Sequence, residues 1–224
     1  MNICMVAARK GSERLKRKNY IKIGNYTVLE LAIIKAIESN VFDKIFINTD
    51  DEALENLAKL FKIDFYLRSP HLANSTVTSD QVVLDFFENN DCEKLYWVNT
   101  ASPLQTIQDI KKFFDSFENT QCDASVSSNN ILQHAYYENN PINFQRKNGF
   151  AKTQDLKTVQ ALNYAMMAWK RSCINNLKNG ELFSENTLIL ESSRWSGFLL
   201  KTNEDFEIIR NLYKIAPDQG HKNS

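Results

Sequence analysis

The run Ile3, Cys4, Met5, Val6, Ala7, Ala8 is apolar, with no polar alternation. That pattern suits a strand buried on both faces of a parallel sheet, so the chain must supply helices to cover both faces. The run breaks at once into residues 9–19, RKGSERLKRKN, where six of eleven side chains are basic. Gly11 is the only residue of this loop with a free choice of backbone angle. Two readings are open. In one, the loop is a phosphate cradle: backbone N–H groups point at an anion while Arg and Lys make charge-assisted bonds to it, each contributing roughly 1.5–3 kcal/mol net. In the other, it is a solvated basic turn after an edge strand. The loop is neither a P-loop nor a Gly-x-Gly-x-x-Gly dinucleotide loop, since neither spacing occurs.

The rest of the chain repeats the rhythm of strand and helix. Val28, Leu29, Leu31, Ala32, Ile34 and Ala36 recur at helical spacing, and the helix ends near Asn40. Short apolar stretches at 44–48, 63–67, 94–99 and 124–127 read as strands. Helical patterns occupy 51–61, 79–87 with Ser79 as N-cap, and 107–117. The expected fold class is α/β: a Rossmann-like three-layer α/β/α arrangement around a mostly parallel sheet. In such sheets ligands bind at the carboxyl ends of the strands, near a switch in strand order. The basic loop, Asn48–Asp50 and Asn99–Pro103 all fall at such ends, which favours the cradle.

From residue 129 to 157 the rhythm is lost. The stretch is polar but carries Tyr136, Tyr137, Phe144 and Phe150. These aromatics point to an ordered lobe packed on something, with a second subunit as the candidate. Strands are expected again at 163–169 and 197–200, and a last helix at 204–215 with Phe206, Ile208, Ile209 and Leu212 inward. The whole chain, 1–224, reads as one domain, with residues 129–165 as an inserted lobe and dimer contact.

Basic and acidic residues number 27 each. The basic loop is therefore local and not part of a nucleic-acid track. No apolar run approaches the roughly 20 residues that span a membrane, and Arg9 and Lys10 interrupt the first apolar stretch too early for a secretory signal. Cys4, Cys92, Cys122 and Cys173 are scattered, with no C-x-x-C pair. They read as reduced thiols in a cytoplasmic protein. His71, His134 and His221 form no metal set with acids or cysteines at ligand spacing. Trp97 and Trp169 read as core residues, and Trp195 as packing near a pocket.

AARKGSERLKRKN resembles the opening signature of the acylneuraminate cytidylyltransferases, the CMP–sialic acid synthetases, and of their relatives for Kdo, pseudaminic and legionaminic acids. INTD at 47–50, LRSPHLANSTVTSD at 67–80, NTASPLQT at 99–106, TQDLKT at 153–158 and KTNEDFE at 201–207 follow in that family's order and spacing. TQDLKT is most similar to the pseudaminic acid branch. The resemblance implies a homodimeric enzyme that joins CTP to an acidic sugar, giving a CMP-sugar and pyrophosphate with magnesium. It implies that Arg9, Ser12, Arg14, Lys18 and Asn19, with Ala8 and Gly11 of the same loop, hold the triphosphate, and that Arg9 and Lys18 activate the α-phosphate. Arg68 and Ser79 would lie at the ribose and base, and Asn99 would take the place of a glutamine that reads cytosine. Gln154 and Asn163 would fall at the sugar.

Two departures stand out. The family's metal-holding Asp-x-Asp is replaced here by Leu199 and Lys201. Mg²⁺ wants oxygen ligands, and the nearest spare carboxylates by sequence are Asp50 and Asp205. The family's sugar-binding Arg-x-Asn-Gly-Ala reads Ala161-Leu162-Asn163-Tyr164-Ala165, and the Arg after Ser-Pro-Leu is Gln105. Two functions are compatible with this: an active CTP-dependent transferase, with Lys201 supplying part of the charge neutralisation, or a nucleotide-binding subunit that has lost transfer chemistry.

Overall fold

The computed structural model describes residues 1–11, 15–147 and 149–217. The first strand, β1 (Asn2–Ala8), is buried along its length and lies near the middle of a seven-stranded sheet. After it come a hairpin of β2 (Lys22–Ile23) and β3 (Tyr26–Thr27), then helix α1 (Val28–Ser39). Thr27 and Glu30 close a reciprocal capping box at the start of α1, with bonds of 3.1 and 2.6 Å. The chain continues through β4 (Lys44–Thr49), α2 (Glu55–Phe61), β5 (Asp64–Leu67), α3 (Ser79–Asn89), β6 (Lys94–Val98) and α4 (Ile107–Glu118). Then follow β7 (Ala124–Ile131), a small ribbon of β8 (Tyr136–Tyr137) and β9 (Asn140–Pro141), and β10 (Val159–Lys170). The last elements are α5 (Ile174–Lys178), β11 (Thr187–Glu191) and α6 (Asn203–Leu212).

The sheet order is β11-β7-β10-β6-β1-β4-β5. All neighbours pair in parallel except β10, which is antiparallel to both β6 and β7. This is the expected Rossmann-like three-layer α/β/α class. Successive residues of β1 serve opposite layers: Cys4, Val6 and Ala8 pack with α1 and α4, while Ile3 and Met5 pack with α3 and α5. A third cluster, including Val28, Leu31, Leu104, Leu200 and Ile209, seats α6 against the start of α1.

Three expectations from sequence are corrected. Residues 197–200 are not a strand. A 3₁₀ turn, Arg194–Gly197, leads into irregular chain held by the Leu200 N–H on the Ala101 carbonyl at 2.7 Å. The seventh strand is instead β11. Second, β7 runs on past Ser127 to Ile131, because Ser128 Oγ donates to the Leu190 carbonyl of β11 at 3.3 Å and residues 128–131 pair with the start of β10. Third, the N-cap of α3 is Thr78, one residue before Ser79, and Gln81 Oε1 accepts its backbone N–H at 3.1 Å.

Candidate active site

From β1 the chain steps outward to β4 and β5, then crosses to β6 on the other side of β1. The switch in direction falls between β1 and β6, where the carboxyl ends of adjacent strands part and leave a crevice. A cavity of about 490 Å³ opens there. Its walls come from the loop after β1 (Arg9, Lys18, Asn19), the end of β5 (Arg68), the entry to α3 (Asn74, Thr78, Ser79), the end of β6 (Trp97, Asn99, Thr100) and the chain before α6 (Leu200, Lys201). The N-terminus of α3 adds its partial positive charge and unpaired N–H groups to that wall.

Four cationic side chains line the cavity, Arg9, Lys18, Arg68 and Lys201, and no carboxylate does among the described residues. Arg68 is the most constrained. Its backbone N–H bonds to the Thr49 carbonyl at 2.8 Å, and its side chain is only 4% exposed. The guanidinium reaches Asn48 Oδ1 at 3.5 Å and Asp50 Oδ1 at 3.7 Å, both long contacts, and Nε has no partner. Burial pulls the Arg68 guanidinium below its ordinary pKa; Asp50 opposes that shift, and the like charge of Arg9 reinforces it. A buried cation that is poorly compensated, beside a second cation, is stabilised by any anion that enters.

Asn19 fixes the loop to the opposite strand. Its Nδ2 donates to the Arg9 carbonyl at 3.0 Å and its Oδ1 accepts from Thr100 Oγ1 at 3.0 Å. Arg9 reaches across to the Asn74 carbonyl at 3.2 Å. The far wall is braced by Ser102 Oγ on the Ser196 carbonyl at 2.6 Å and by buried Lys35, whose Nζ donates to the Pro103 carbonyl at 2.5 Å. Asn99 Oδ1 takes the Ala101 N–H at 2.9 Å, and Nδ2 gives one proton to the Tyr164 carbonyl at 3.1 Å. One amide proton and one lone pair of Asn99 remain for a ligand.

The structure therefore brings Arg9, Lys18, Asn19, Arg68, Ser79 and Asn99 to one cavity. Ala8 lies just beneath it, buried in the sheet. Ser12 and Arg14 lie outside the described residues, as does His221. Gly11 is exposed, its φ is not in the left-handed region and an added Cβ would meet nothing. Among the described residues of the loop, the one in the left-handed region is Arg17, at φ 53°. Gln154 is exposed in the 3₁₀ turn Thr153–Asp155 and does not line the cavity.

Asn163 has a structural task in place of the expected sugar contact. It is buried, and its Oδ1 accepts from Ser127 Oγ at 2.6 Å and from the Ala165 N–H at 3.0 Å. Its Nδ2 donates to Ser192 Oγ at 2.8 Å and to Asn129 Oδ1. All four hydrogen-bonding positions of the amide are thus used in knitting β7, β10 and the chain after β11 together. The next residue, Tyr164, sits at φ 56°, inside the stretch where the β7–β10 register shifts.

Sequence reasoning missed two walls. Trp97 packs against the core beside Trp169 as expected, but it is only half-buried and also lines the cavity, with an indole N–H that has no partner. Thr78 was also missed, while Thr100 falls within the stretch 99–103 already placed at a strand end. The signal for Thr78 was its place beside Ser79, one residue short of the assigned cap.

The residues present do not fit a protein-held magnesium ion. No group of three or more His, Cys, Asp or Glu among the described residues is arranged to hold a metal. Asp205 Oδ2 already accepts the N–H groups of Lys201 at 2.9 Å and Thr202 at 2.8 Å, capping α6. Burial works to raise the Asp205 pKa, but those hydrogen bonds and the Lys201 charge bring it below the ordinary carboxylate value. Asp50 is held by the Lys10 N–H at 2.9 Å and by Arg68.

Residues 3–190 match the family model described as cytidylyltransferase. The chain belongs to the cytidylyltransferase family. It is 25% identical over 224 residues to post-translational flagellin modification protein B of Campylobacter coli, a match covering 95% of this chain and 94% of that protein. It is 24% identical over 226 residues to the pseudaminic acid cytidylyltransferase of Campylobacter jejuni subsp. jejuni serotype O:2, covering 96% and 97%. In fold it resembles a CMP:2-keto-3-deoxy-manno-octonic acid synthetase complexed with CTP, with a TM-score of 0.72, 13% identity, and coverage of 96% of this chain and 98% of that one. No helix among the described residues is long and apolar enough to cross a membrane.

Proposed function

We propose that this cytidylyltransferase joins CTP to an acidic, nonulosonic-type sugar. The observation that carries the reading is the cavity at the strand-order switch, walled among the described residues by four cations and no carboxylate, in a chain of this family. A triphosphate is the ligand for which such a wall is built. Arg9, Lys18 and Arg68 bring positive charge to the cavity for the phosphates, and Ser79 and Asn99 line the same cavity, where a nucleoside fits. The sugar's anomeric hydroxyl oxygen forms a bond to the α-phosphorus. The bond from that phosphorus to the bridging oxygen breaks, pyrophosphate leaves with the electron pair, and the hydroxyl proton passes to water. Catalysis here is positioning and stabilisation of the charge that develops on the phosphoryl oxygens and on the leaving pyrophosphate.

The relative named for pseudaminic acid supports an acidic sugar as the acceptor. The lobe of residues 129–165 exposes Tyr136, Tyr137, Ile142 and Phe150, and Phe150 stacks on His134 with ring centres 4.0 Å apart. We take this ordered apolar face as the contact of a homodimer. The test is pyrophosphate release from CTP in the presence of a panel of nonulosonic acids, with UTP as the control nucleotide. Turnover of CTP with one acid supports the reading. A second reading, a nucleotide-binding subunit without transfer chemistry, is favoured by Leu199 and Lys201 standing where carboxylates are expected. CTP binding without turnover across the whole panel would select it.

A further inference from the structure

Lys201 lines the nucleotide cavity from a fixed anchor. Immediately before it, the Leu200 N–H is bonded to the Ala101 carbonyl at 2.7 Å, and Leu200 itself is fully buried. The Lys201 N–H is bonded to Asp205 Oδ2 at 2.9 Å. The backbone is therefore held on both sides, and the four-carbon stem starts from the cavity rim. The ammonium makes no ion pair within 4 Å among the described residues.

The charges around it decide what it can do. A nucleoside triphosphate carries about four negative charges once its terminal phosphate is ionised. Among the described residues Arg9, Lys18, Arg68 and Lys201 bring positive charge to the cavity, that of Arg68 being partly offset by Asp50 and Asp85. A divalent ion placed in the same space would bring two more positive charges to a wall that has no carboxylate among the described residues to hold it. The carboxylates near the wall already accept other bonds: Asp205 caps α6 through Oδ2, Asp50 Oδ1 takes the Lys10 N–H and Arg68, and Asp85 takes the Tyr66 hydroxyl. A lysine ammonium is a compact point charge that binds phosphate directly.

We infer that Lys201 takes, at the phosphates of the bound nucleotide, the place of a protein-held divalent cation, so that this chain binds its nucleoside triphosphate without a metal. The inference rests on the proposed nucleotide site and adds how that site balances its charge.

Calorimetric titration of CTP into the full-length protein, once in EDTA and once in magnesium, tests it. The native protein is expected to bind with affinities that differ by less than about fivefold between the two buffers. Lys201→Met is expected to weaken binding in EDTA by about tenfold or more, the size of one charge-assisted contact. A variant that places two carboxylates at the rim, Leu199→Asp with Lys201→Asp, is expected to bind well only with magnesium. A loss of about fivefold or more for the native protein in EDTA overturns the inference and leaves the proposed function standing. So does native affinity of Lys201→Met in EDTA. Failure of the native protein to bind CTP in either buffer overturns the proposed function, and the inference with it.

Discussion

Replacing Arg68 by Met separates ligand binding from folding. The perturbation removes a guanidinium that is only 4% exposed, whose firm link to the rest of the protein is through its backbone N–H. At 3.7 Å the attraction to Asp50 is worth about 4.5 kcal/mol gross at an effective dielectric of 20. The desolvation penalty for burying an ion is itself several kcal/mol, so the two nearly cancel. Repulsion from Arg9 is opposed by attraction to Asp85, and the unpartnered Nε counts against the charged side chain. Met fills similar volume with no charge to desolvate, and Asp50 keeps the Lys10 N–H. The free protein should therefore stay folded, with a change in stability of no more than about 2 kcal/mol, because the relief of no longer burying the guanidinium is offset by leaving Asp50, itself only 12% exposed, without its cation. Nucleotide binding should suffer, because each lost charge-assisted contact costs about 1.5–3 kcal/mol, or roughly 10- to 150-fold in Kd. Thermal melts with and without CTP, and calorimetric titration, read both halves. If Arg68→Met unfolds the free protein while leaving the CTP affinity of the surviving fold unchanged, Arg68 is a structural residue and the argument from its poor compensation fails.

Asn163→Ala should lower stability by about 1–3 kcal/mol, roughly 2–12 °C in Tm, because Ser127, Ser192 and the Ala165 N–H lose their partner, while CTP affinity stays unchanged. A change in CTP affinity with native stability would refute the structural role given to it. Tyr20 and Asp51 give a pH test. Burial, and then the hydrogen bond to Asp51 at 2.5 Å, raise the Tyr20 hydroxyl from 10.0 to about 12, and that same bond is the main cause of a lowered Asp51 pKa. Because the folded pKa of Tyr20 lies above the unfolded one, its contribution is fully present below the unfolded value and fades as the pH climbs to the folded one. The stability difference between the native protein and Tyr20→Phe should thus be flat near neutral pH and shrink between 10.0 and about 12 in urea titrations. A difference that holds constant through that range would show that the hydroxyl is not retained in protonated form by the fold. Asp51 acts at the other end: its lowered pKa stabilises the fold above the unfolded carboxylate value and the benefit is lost as the pH falls through the folded one.

The layers and most strands were legible because their signal is local. An unbroken apolar run such as Ile3–Ala8 has one physical use, and the 3.6-residue spacing of α1 and α4 another. The errors fell where local polarity misled. Ser128 and the asparagines after it looked too polar to extend the strand expected at 124–127, yet Ser128 is buried through a bond to the Leu190 carbonyl of β11 and the asparagines pair with β10. The stretch before α6 looked apolar enough for a strand, yet its Leu200 is buried against Leu104 and Ile209 without joining the sheet. Trp97 reads as core in any sequence, and only its place beside the crevice gives it a face on the cavity.

What the sequence determined by itself is the class of fold and the sign of the charge behind the first strand, since apolar periodicity and a cluster of Arg and Lys are properties of neighbours along the chain. What only the tertiary structure decided is the make-up of the site. Arg9, Arg68, Asn99 and Lys201 lie far apart in sequence, and which of them meet depends on the order of strands across the sheet. The same holds for the carboxylates: whether Asp50 and Asp205 are spare depends on which N–H groups folding brings to them, and no spacing along the chain encodes that.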